Sequence, residues 1–561
     1  MYIGVDIGTG SARACLMDES GLIRSVTSHP ILRFNPKQDF INQSSVDIWN
    51  AVCFCVKHVI ADSRISPEEV KGIAFDATCS LIATAGPASD ETLPVGPDFS
   101  NTVEDVILWM DHRAHLETEK IKATKHPLLK YVGGQMSIEM EIPKILWLKS
   151  HMPEELFAKA HFYDLSDWLT MRATGVNARS FCSVACKQGY VPHGVDGSKT
   201  GWNPEFLTSI GLQDLVDNNF AKMGGVAKEN GVYHSAGEVV GNLSERAALE
   251  LGLTTSTVVG SGVIDAYSGW IGTVAAKTPE LSEHPVSSRL AAVAGTSTCH
   301  IVQSRDPIFV PGVWGPYRDV LVPGMWCAEG GQSTTGELIN FVVTNHPAYP
   351  ELVSVADAQE INIYEHLNNT LETMRITSNL PSIYHLIKDL FWYGDLYGNR
   401  SPIADPDMRG SVVGISMDVS LNDLAKQYLG VLEFVCQQQR QIIEAMNNRG
   451  HEITTIYLSG GQCRNKVLTE LMATCAGMPV IIPHYIDSAV VLGTAMLAAR
   501  AAHPDKSLWE IMSQYSNEGK IVYPLETPSV NALLKAKYTV MLDQADRQIE
   551  YRARIKAALE K

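Results

Sequence analysis

Asp6 stands just ahead of the turn Gly8-Thr9-Gly10-Ser11. Small residues in a turn let backbone N–H groups and hydroxyls approach an anion closely, and a carboxylate beside them can face a hydrated divalent cation. That combination suits a nucleotide phosphate with magnesium. An ordinary hairpin, its glycines supplying positive φ and its Asp solvated, would use the same residue types. A second carboxylate, Asp265, closes an apolar run and precedes Ala266, Gly269 and Gly272 at helical three-residue spacing. There it is either a helix N-cap or a general base that takes the proton of a hydroxyl attacking phosphorus.

The elements that would position these groups can be read from the apolar pattern. Tyr2 to Ile7 reads as a strand, Gly8 to Ser11 as a tight turn, and Ala12 to Met17 as the returning strand. The pattern recurs at Arg289 to Gln303, where an apolar run meets Gly295-Thr296-Ser297-Thr298 and returns. Lys277 to Val286 between the copies has the proline and charge content of a linker, placing a boundary near residue 275. Two related halves, 1–275 and 276–561, are expected, each opening with a phosphate-type hairpin that faces one cleft. Ile456 to Asn465 reads as a strand entering the Gly460-Gly461 turn, with a helix from about Lys466. A glycine pair there leaves room for a flat adenine or ribose against the backbone, within reach of Asn465; it is equally an ordinary strand-to-helix turn.

A chain of 561 residues, 45% of them hydrophobic, exceeds what one core serves and suits two domains of roughly 250 residues each. It has no run of 18 uncharged apolar residues, and Met1 leads directly into the first strand, so neither a membrane span nor secretion is expected. The eleven cysteines lack the recurrent spacing of a zinc site and read as free thiols of a reducing cytoplasm. A net charge of −17, with no Lys/Arg-rich block, disfavours nucleic acid and anionic membranes and favours small-molecule partners. Gly-x-x-x-x-Gly-Lys-Ser/Thr is absent, and Arg13 stands where a dinucleotide fingerprint needs glycine. Gly331-Gln-Ser333-Thr-Thr335 lacks the last glycine of a hydrolase nucleophile elbow.

Five segments occur together in the order found in the FGGY family of carbohydrate kinases, which the chain resembles over nearly its whole length. They are Asp6-Ile-Gly-Thr-Gly-Ser11, Gly262-Val-Ile-Asp265-Ala-Tyr-Ser-Gly269, Gly295-Thr-Ser297, Gly394 to Gly410, and Gly460-Gly-Gln-Cys-Arg-Asn465. The resemblance implies an α/β fold of two actin-like (ribonuclease H-like) ATPase domains with ATP, Mg²⁺ and a sugar in the cleft between them. It implies that Asp6 helps to hold magnesium and that Asp265 is the base. Thr9, Gly10, Ser11 and Arg13 would approach phosphate, and Gly295, Thr296, Gly336, Asn340, Gly460, Gly461 and Asn465 would lie near ATP. Around Pro143-Lys-Ile-Leu-Trp-Leu148 the Lys-x-x-Trp-Leu signature is kept, but Glu141 replaces a small or hydroxyl residue.

The loop expected after the strand Lys71 to Phe75, Asp76-Ala-Thr-Cys-Ser-Leu81, is neither the Gln-Met-His-Gly of xylulose kinases nor the Arg-Glu of glycerol kinases. Its Thr78-Cys79-Ser80-Leu81 resembles D-ribulokinases and, more distantly, bacterial L-ribulokinases. Trp109-Met-Asp111-His-Arg113, Ala185-Cys-Lys187 and Ala328-Glu329-Gly330 match the same group by position. The resemblance implies that Thr78, Cys79, Ser80, Trp109, Asp111, Lys187, Glu329 and Asp265 bind a ketopentose, D-ribulose first, with L-ribulose, ribitol or another pentose as alternatives. Buried polar groups that pair each hydroxyl reject analogues strongly. A non-catalytic or chaperone-like ATPase on the same fold is the rival from another class, and a homo-oligomer is left open. The segment Val342 to Tyr393 has no assigned role.

Overall fold

The computed structural model describes residues 1–281 and 284–560. Tyr2–Ile7 pairs antiparallel with Ser11–Met17 and parallel with Gly72–Ala77. The Gly8 N–H donates to the Ser11 carbonyl at 3.0 Å, closing the turn one residue earlier than expected. These strands lie within a six-stranded sheet whose order is Val239–Asn242, Val258–Ile264, Gly72–Ala77, Tyr2–Ile7, Ser11–Met17, Ile23–Pro30. Ile23–Pro30 forms the edge and alternates half-buried with exposed residues, whereas Tyr2–Ile7 and Gly72–Ala77 are buried throughout. Burial on both faces follows from period-two alternation between two helices. Ile3, Val5 and Ile7 share a core with helix Ser45–Ser63, while Tyr2 shares one with helix Ala489–Ala502.

The second hairpin has the same arrangement. Arg289–Ala294 pairs antiparallel with Thr298–Ser304 and parallel with Thr455–Ser459. They belong to a seven-stranded sheet ordered Trp314–Arg318, Trp326–Gln332, Thr298–Ser304, Arg289–Ala294, Thr455–Ser459, Val480–Ile482, Lys520–Val522. The expected repeat of the hairpin is therefore present, and in the α/β architecture each copy is joined by a parallel strand. Of the expected linker, Ser282 and Glu283 lie outside the described residues, and short 3₁₀ turns flank them at Pro279–Leu281 and Val286–Ser288.

Helix Ala489–Ala502 comes from the second half of the chain yet packs on the first sheet and on helix Asp265–Thr273. Glycines make that approach possible. A Cβ on Gly4 would lie 2.3 Å from the Val491 carbonyl oxygen; one on Gly272 or Gly493 would lie 2.0 Å from the Ala489 or Ser268 oxygen, respectively. Real Cβ contacts do not come so close, so the crossing depends on hydrogen at these positions. Ser268 and Thr494 hydroxyls meet across it at 2.8 Å.

Candidate active site

The parallel register sets Asp6 beside Asp76, and the hairpin register sets Asp6 opposite Arg13. Arg13 Nη1 lies 4.0 Å from Asp6 Oδ2, with the guanidinium partly exposed. Burial raises the Asp6 carboxyl above the ordinary range while Arg13 pulls the other way. Asp76 is raised well above its usual value, first by burial and then by the charge of Asp6. Thr494 Oγ1 donates to one Asp76 oxygen, and the other, Oδ1, has no hydrogen-bond partner in the structure. Asp265 opens helix Asp265–Thr273, but the N-cap position is Ile264. Its Oδ1 accepts only the Ala266 N–H, at 2.7 Å. The N-cap reading is thus corrected: this side chain does not reach back to close the helix. Burial, with Asp6 as the next cause, pushes the Asp265 carboxyl up to about 7.

Within electrostatic reach of Asp265 lies a second charged group. Lys187 ends helix Phe181–Lys187, and its Nζ is 3.4 Å from Glu329 Oε2 on strand Trp326–Gln332. The Tyr267 hydroxyl donates to the same Glu329 oxygen at 3.0 Å, and Lys187 Nζ sits 4.4 Å from the centre of the Trp314 ring. Lys187 and Glu329 are 3% exposed, which makes them a paired interior group rather than surface charges. Burial opposes the lysine charge, but Glu329, with smaller help from Cys79 and Cys186, outweighs it and holds the ammonium well above the usual lysine range.

Thr78, Cys79 and Ser80 are buried, with Cys79 within electrostatic reach of Lys187. Thr78 N–H donates to the Ile7 carbonyl at 2.9 Å, and the Thr78 and Ser80 hydroxyls lie 3.3 Å apart. Trp109 Nε1 donates to Thr9 Oγ1 at 3.1 Å, joining the sugar-side loop to the first phosphate-type turn. Lys144, from the Lys-x-x-Trp-Leu segment, donates to the Leu108 and Trp109 carbonyls at 2.8 and 3.0 Å and so holds that loop. Asp111 requires correction. Its carboxylate accepts from Arg113 Nε and Nη2, from the Arg113 N–H and from the Ile41 N–H, and it is fully buried. With about four lone-pair sites taken, it builds the wall instead of offering an acceptor to a sugar.

The residues expected near ATP also come together. Gly295 and Thr296 are exposed on the second turn, where their carbonyls accept from the Gly336 and Thr335 N–H groups at 3.2 and 2.9 Å. Gly336 opens helix Gly336–Thr344, which carries Asn340 exposed one turn further on. Gly460 has φ +89°, and a Cβ there would lie 1.9 Å from the Ala294 oxygen, so this turn is pressed onto the second hairpin. Gly461 is open, and Gln462 Nε2 donates to Thr335 Oγ1 at 2.9 Å. Asn465 caps helix Lys466–Ala476, donates to the Tyr428 hydroxyl at 2.6 Å and accepts from Asn368 at 3.2 Å.

Several of these neighbours were not singled out from sequence. The sequence pattern puts Asp76 in a loop, but the strand runs on to Ala77; the repeated acidic end of Gly4-Val-Asp6 and Ala74-Phe-Asp76 is the signal for it. Tyr267 and Trp314 left no such signal. Asn368 lies in the unassigned stretch, on helix Ile363–Thr377.

The fold and these clustered groups define a two-sheet carbohydrate-kinase architecture, and comparison with known proteins agrees. Residues 1–272 match the N-terminal domain, and residues 290–502 the C-terminal domain, of the FGGY family of carbohydrate kinases. The chain belongs to that family. It is 53% identical to a D-ribulokinase of Saccharomyces cerevisiae over 89% of this chain and 72% of the relative. It is 40% identical to an FGGY carbohydrate kinase domain-containing protein of Homo sapiens, over 98% and 97%. A xylulose kinase structure from Brucella ovis shares the fold with a TM-score of 0.75 at 18% identity, covering 98% of this chain and 99% of that one. The protein is therefore a sugar kinase, and kinases of this family use ATP. Among the described residues no helix is long and apolar enough to cross a membrane.

Proposed function

We propose that this kinase transfers the γ-phosphoryl group of ATP to the C5 hydroxyl of D-ribulose, giving D-ribulose 5-phosphate and ADP. The observation that carries the reading is that Asp265 is buried within electrostatic reach of both Asp6 and the paired Lys187 and Glu329, with its carboxyl pushed up to about 7. A carboxylate of that basicity takes the hydroxyl proton near neutral pH. The freed oxygen forms the bond to the γ-phosphorus as the bond from that phosphorus to the β–γ bridging oxygen breaks, and ADP leaves with the electron pair. Lys187 and Glu329 orient the sugar, assisted by Thr78, Cys79, Ser80 and Trp109. Thr9, Gly10, Ser11 and Arg13 receive phosphate from one half; Gly295, Thr296, Gly336, Asn340, Gly460, Gly461 and Asn465 receive the nucleotide from the other.

Asp6 and Asp76 suit magnesium, which takes hard oxygen donors and usually binds through one or two carboxylates, waters and substrate phosphates. The unpartnered Asp76 Oδ1 beside Asp6 supports that fit. The ion would offset charge on the nucleotide phosphates. In this reading residues 1–275 supply the sugar side and 276–561 the nucleotide side, with helix Ala489–Ala502 reaching back between them. The eleven free thiols support a cytoplasmic setting. Coupled ADP release with D-ribulose, L-ribulose, D-xylulose, ribitol and no sugar tests the assignment. The highest kcat/KM is expected for D-ribulose, and a higher value for another sugar overturns it.

A further inference from the structure

Beside the Lys187–Glu329 pair, a second ion pair crosses between the halves. Arg400 Nη2 donates to both oxygens of Glu139, at 2.8 and 3.0 Å, with the two side chains 9% and 20% exposed. The segment that carries Arg400 is tied down from behind. Asn399 donates to Asp395 at 2.8 Å and accepts the Ile403 N–H at 3.0 Å, and Gln438 donates to Asp395 at 2.7 Å. Ser401 Oγ donates to the Gly312 carbonyl at 2.7 Å. Arg400 is thus presented by a preorganised loop, and its guanidinium reaches past the second sheet to the residues just ahead of helix Glu141–His151.

The same sheet surface holds both pairs. Strand alternation puts Glu329 and Gly331 on one face, and a Cβ on Gly331 would lie 2.4 Å from Arg400 Cδ. The glycine leaves the channel through which the arginine stem passes beside Glu329. Trp314 is in register with Glu329, and its ring has Lys187 Nζ at 4.4 Å and the Arg400 guanidinium carbon at 5.4 Å. One indole therefore carries the cations of both cross-half pairs. Arg400 Nη1 also lies 3.7 Å from the sulfur of Cys299, while its Nε has no hydrogen-bond partner in the structure. Without Arg400, the two carboxylates under its charge, Glu139 and Glu329, would be left with Lys187, the partner of Glu329, as the nearby cation. Like charges at low effective dielectric would then drive the halves apart where the sugar needs them together.

We propose that Arg400 and Glu139 form a latch between the halves that positions Trp314 and Lys187 against the bound pentulose and holds the cleft in its transfer-competent arrangement. The latch rests on the sugar-kinase reading above and acts on binding and closure, not on the proton transfer itself. Arg is suited to it because its planar fork matches a carboxylate through two hydrogen bonds, which a lysine cannot reproduce.

A double-mutant cycle on the full chain tests this with Glu139→Gln, Arg400→Met and the double variant, and Arg400→Lys as the conservative member. Each single variant is expected to lose about 10²-fold in kcat/KM for the pentulose, the cost of misplacing a substrate by a fraction of its reach. The loss appears mainly as a raised sugar KM, with the KM for ATP within about two-fold of wild type, and each single variant also melts at a lower temperature because one charge is left unpaired. The double variant is expected to be no worse than the weaker single, and Arg400→Lys to recover part of the loss. Additive losses, or folded single variants with unchanged sugar KM, overturn the latch, as does a loss confined to melting temperature. A wrong sugar assignment shows already in the wild type, so the cycle is run on whichever pentulose the wild type turns over best, and the latch stands or falls there by itself.

Discussion

Replacing Asp265 by Asn separates base chemistry from architecture. The amide oxygen can still accept the Ala266 N–H now held at 2.7 Å, so the start of helix Asp265–Thr273 keeps its local bond. The substitution also removes a negative charge that Asp6 currently opposes, so the fold gains no new electrostatic conflict. What disappears is the proton acceptor, and loss of a positioned general base costs about 10²–10⁴ in rate. The pH profile supplies a second signature. Burial, the first cause of the shift to about 7, persists when magnesium offsets the charge of Asp6, so wild-type kcat/KM is expected to fall with pH on an acidic limb that lies above the ordinary carboxylate range. In the Asn variant the residual activity lacks that acidic limb. Coupled ADP release with D-ribulose at saturating ATP and magnesium, with a parallel nucleotide-binding titration, gives both readouts. Turnover within a few-fold of wild type, or an unchanged acidic limb in the variant, refutes the assignment of Asp265 as base.

Asp6→Ala is expected to raise the magnesium concentration needed for half-maximal activity at least ten-fold, with a smaller effect on sugar KM; superimposable magnesium titrations would contradict its role. Lys187→Met keeps the stem but leaves Glu329 without its buried cation, so pentulose KM is expected to rise about 10²-fold while ATP KM stays within two-fold, as steady-state kinetics would show. Gly493→Ala places a Cβ 2.0 Å from the Ser268 oxygen at the crossing of the two helices. Overpacking of that kind costs about 1–3 kcal/mol and lowers the denaturant midpoint, whereas an unshifted midpoint would mean that the crossing is not close-packed in solution.

What was legible in the sequence was local. The two Gly-rich hairpins announce themselves because tight turns have strict residue requirements, and Asp265 stands where an apolar strand gives way to a helix. What long-range pairing creates was not. Asp76 joins Asp6 only through parallel pairing of strands distant in the chain, which no local pattern announces. Asp111 looked like a free ligand in a motif, but its acceptors are taken by Arg113, two residues along, and by a backbone N–H of another segment. Gly4, Gly72 and Gly272 admit helix Ala489–Ala502, yet nothing in their spacing names that partner. Glu141, read as a departure from the family signature, accepts a hydrogen bond from Gln188 at 2.6 Å, directly behind Lys187. Asn368 shows the same limit: the stretch around it has no turn or glycine signal, and its contact with Asn465 exists only in the folded chain.

The central claim is that the pentulose C5 hydroxyl, activated by Asp265, receives the γ-phosphoryl group. Turnover of uniformly ¹³C-labelled D-ribulose with ATP, followed by ¹³C and ³¹P NMR of the product mixture, reads the bond that forms. Phosphorus coupling at C5 and one ADP for each sugar phosphate are expected. Coupling at C1, or ADP released without a sugar phosphate, would contradict the claim.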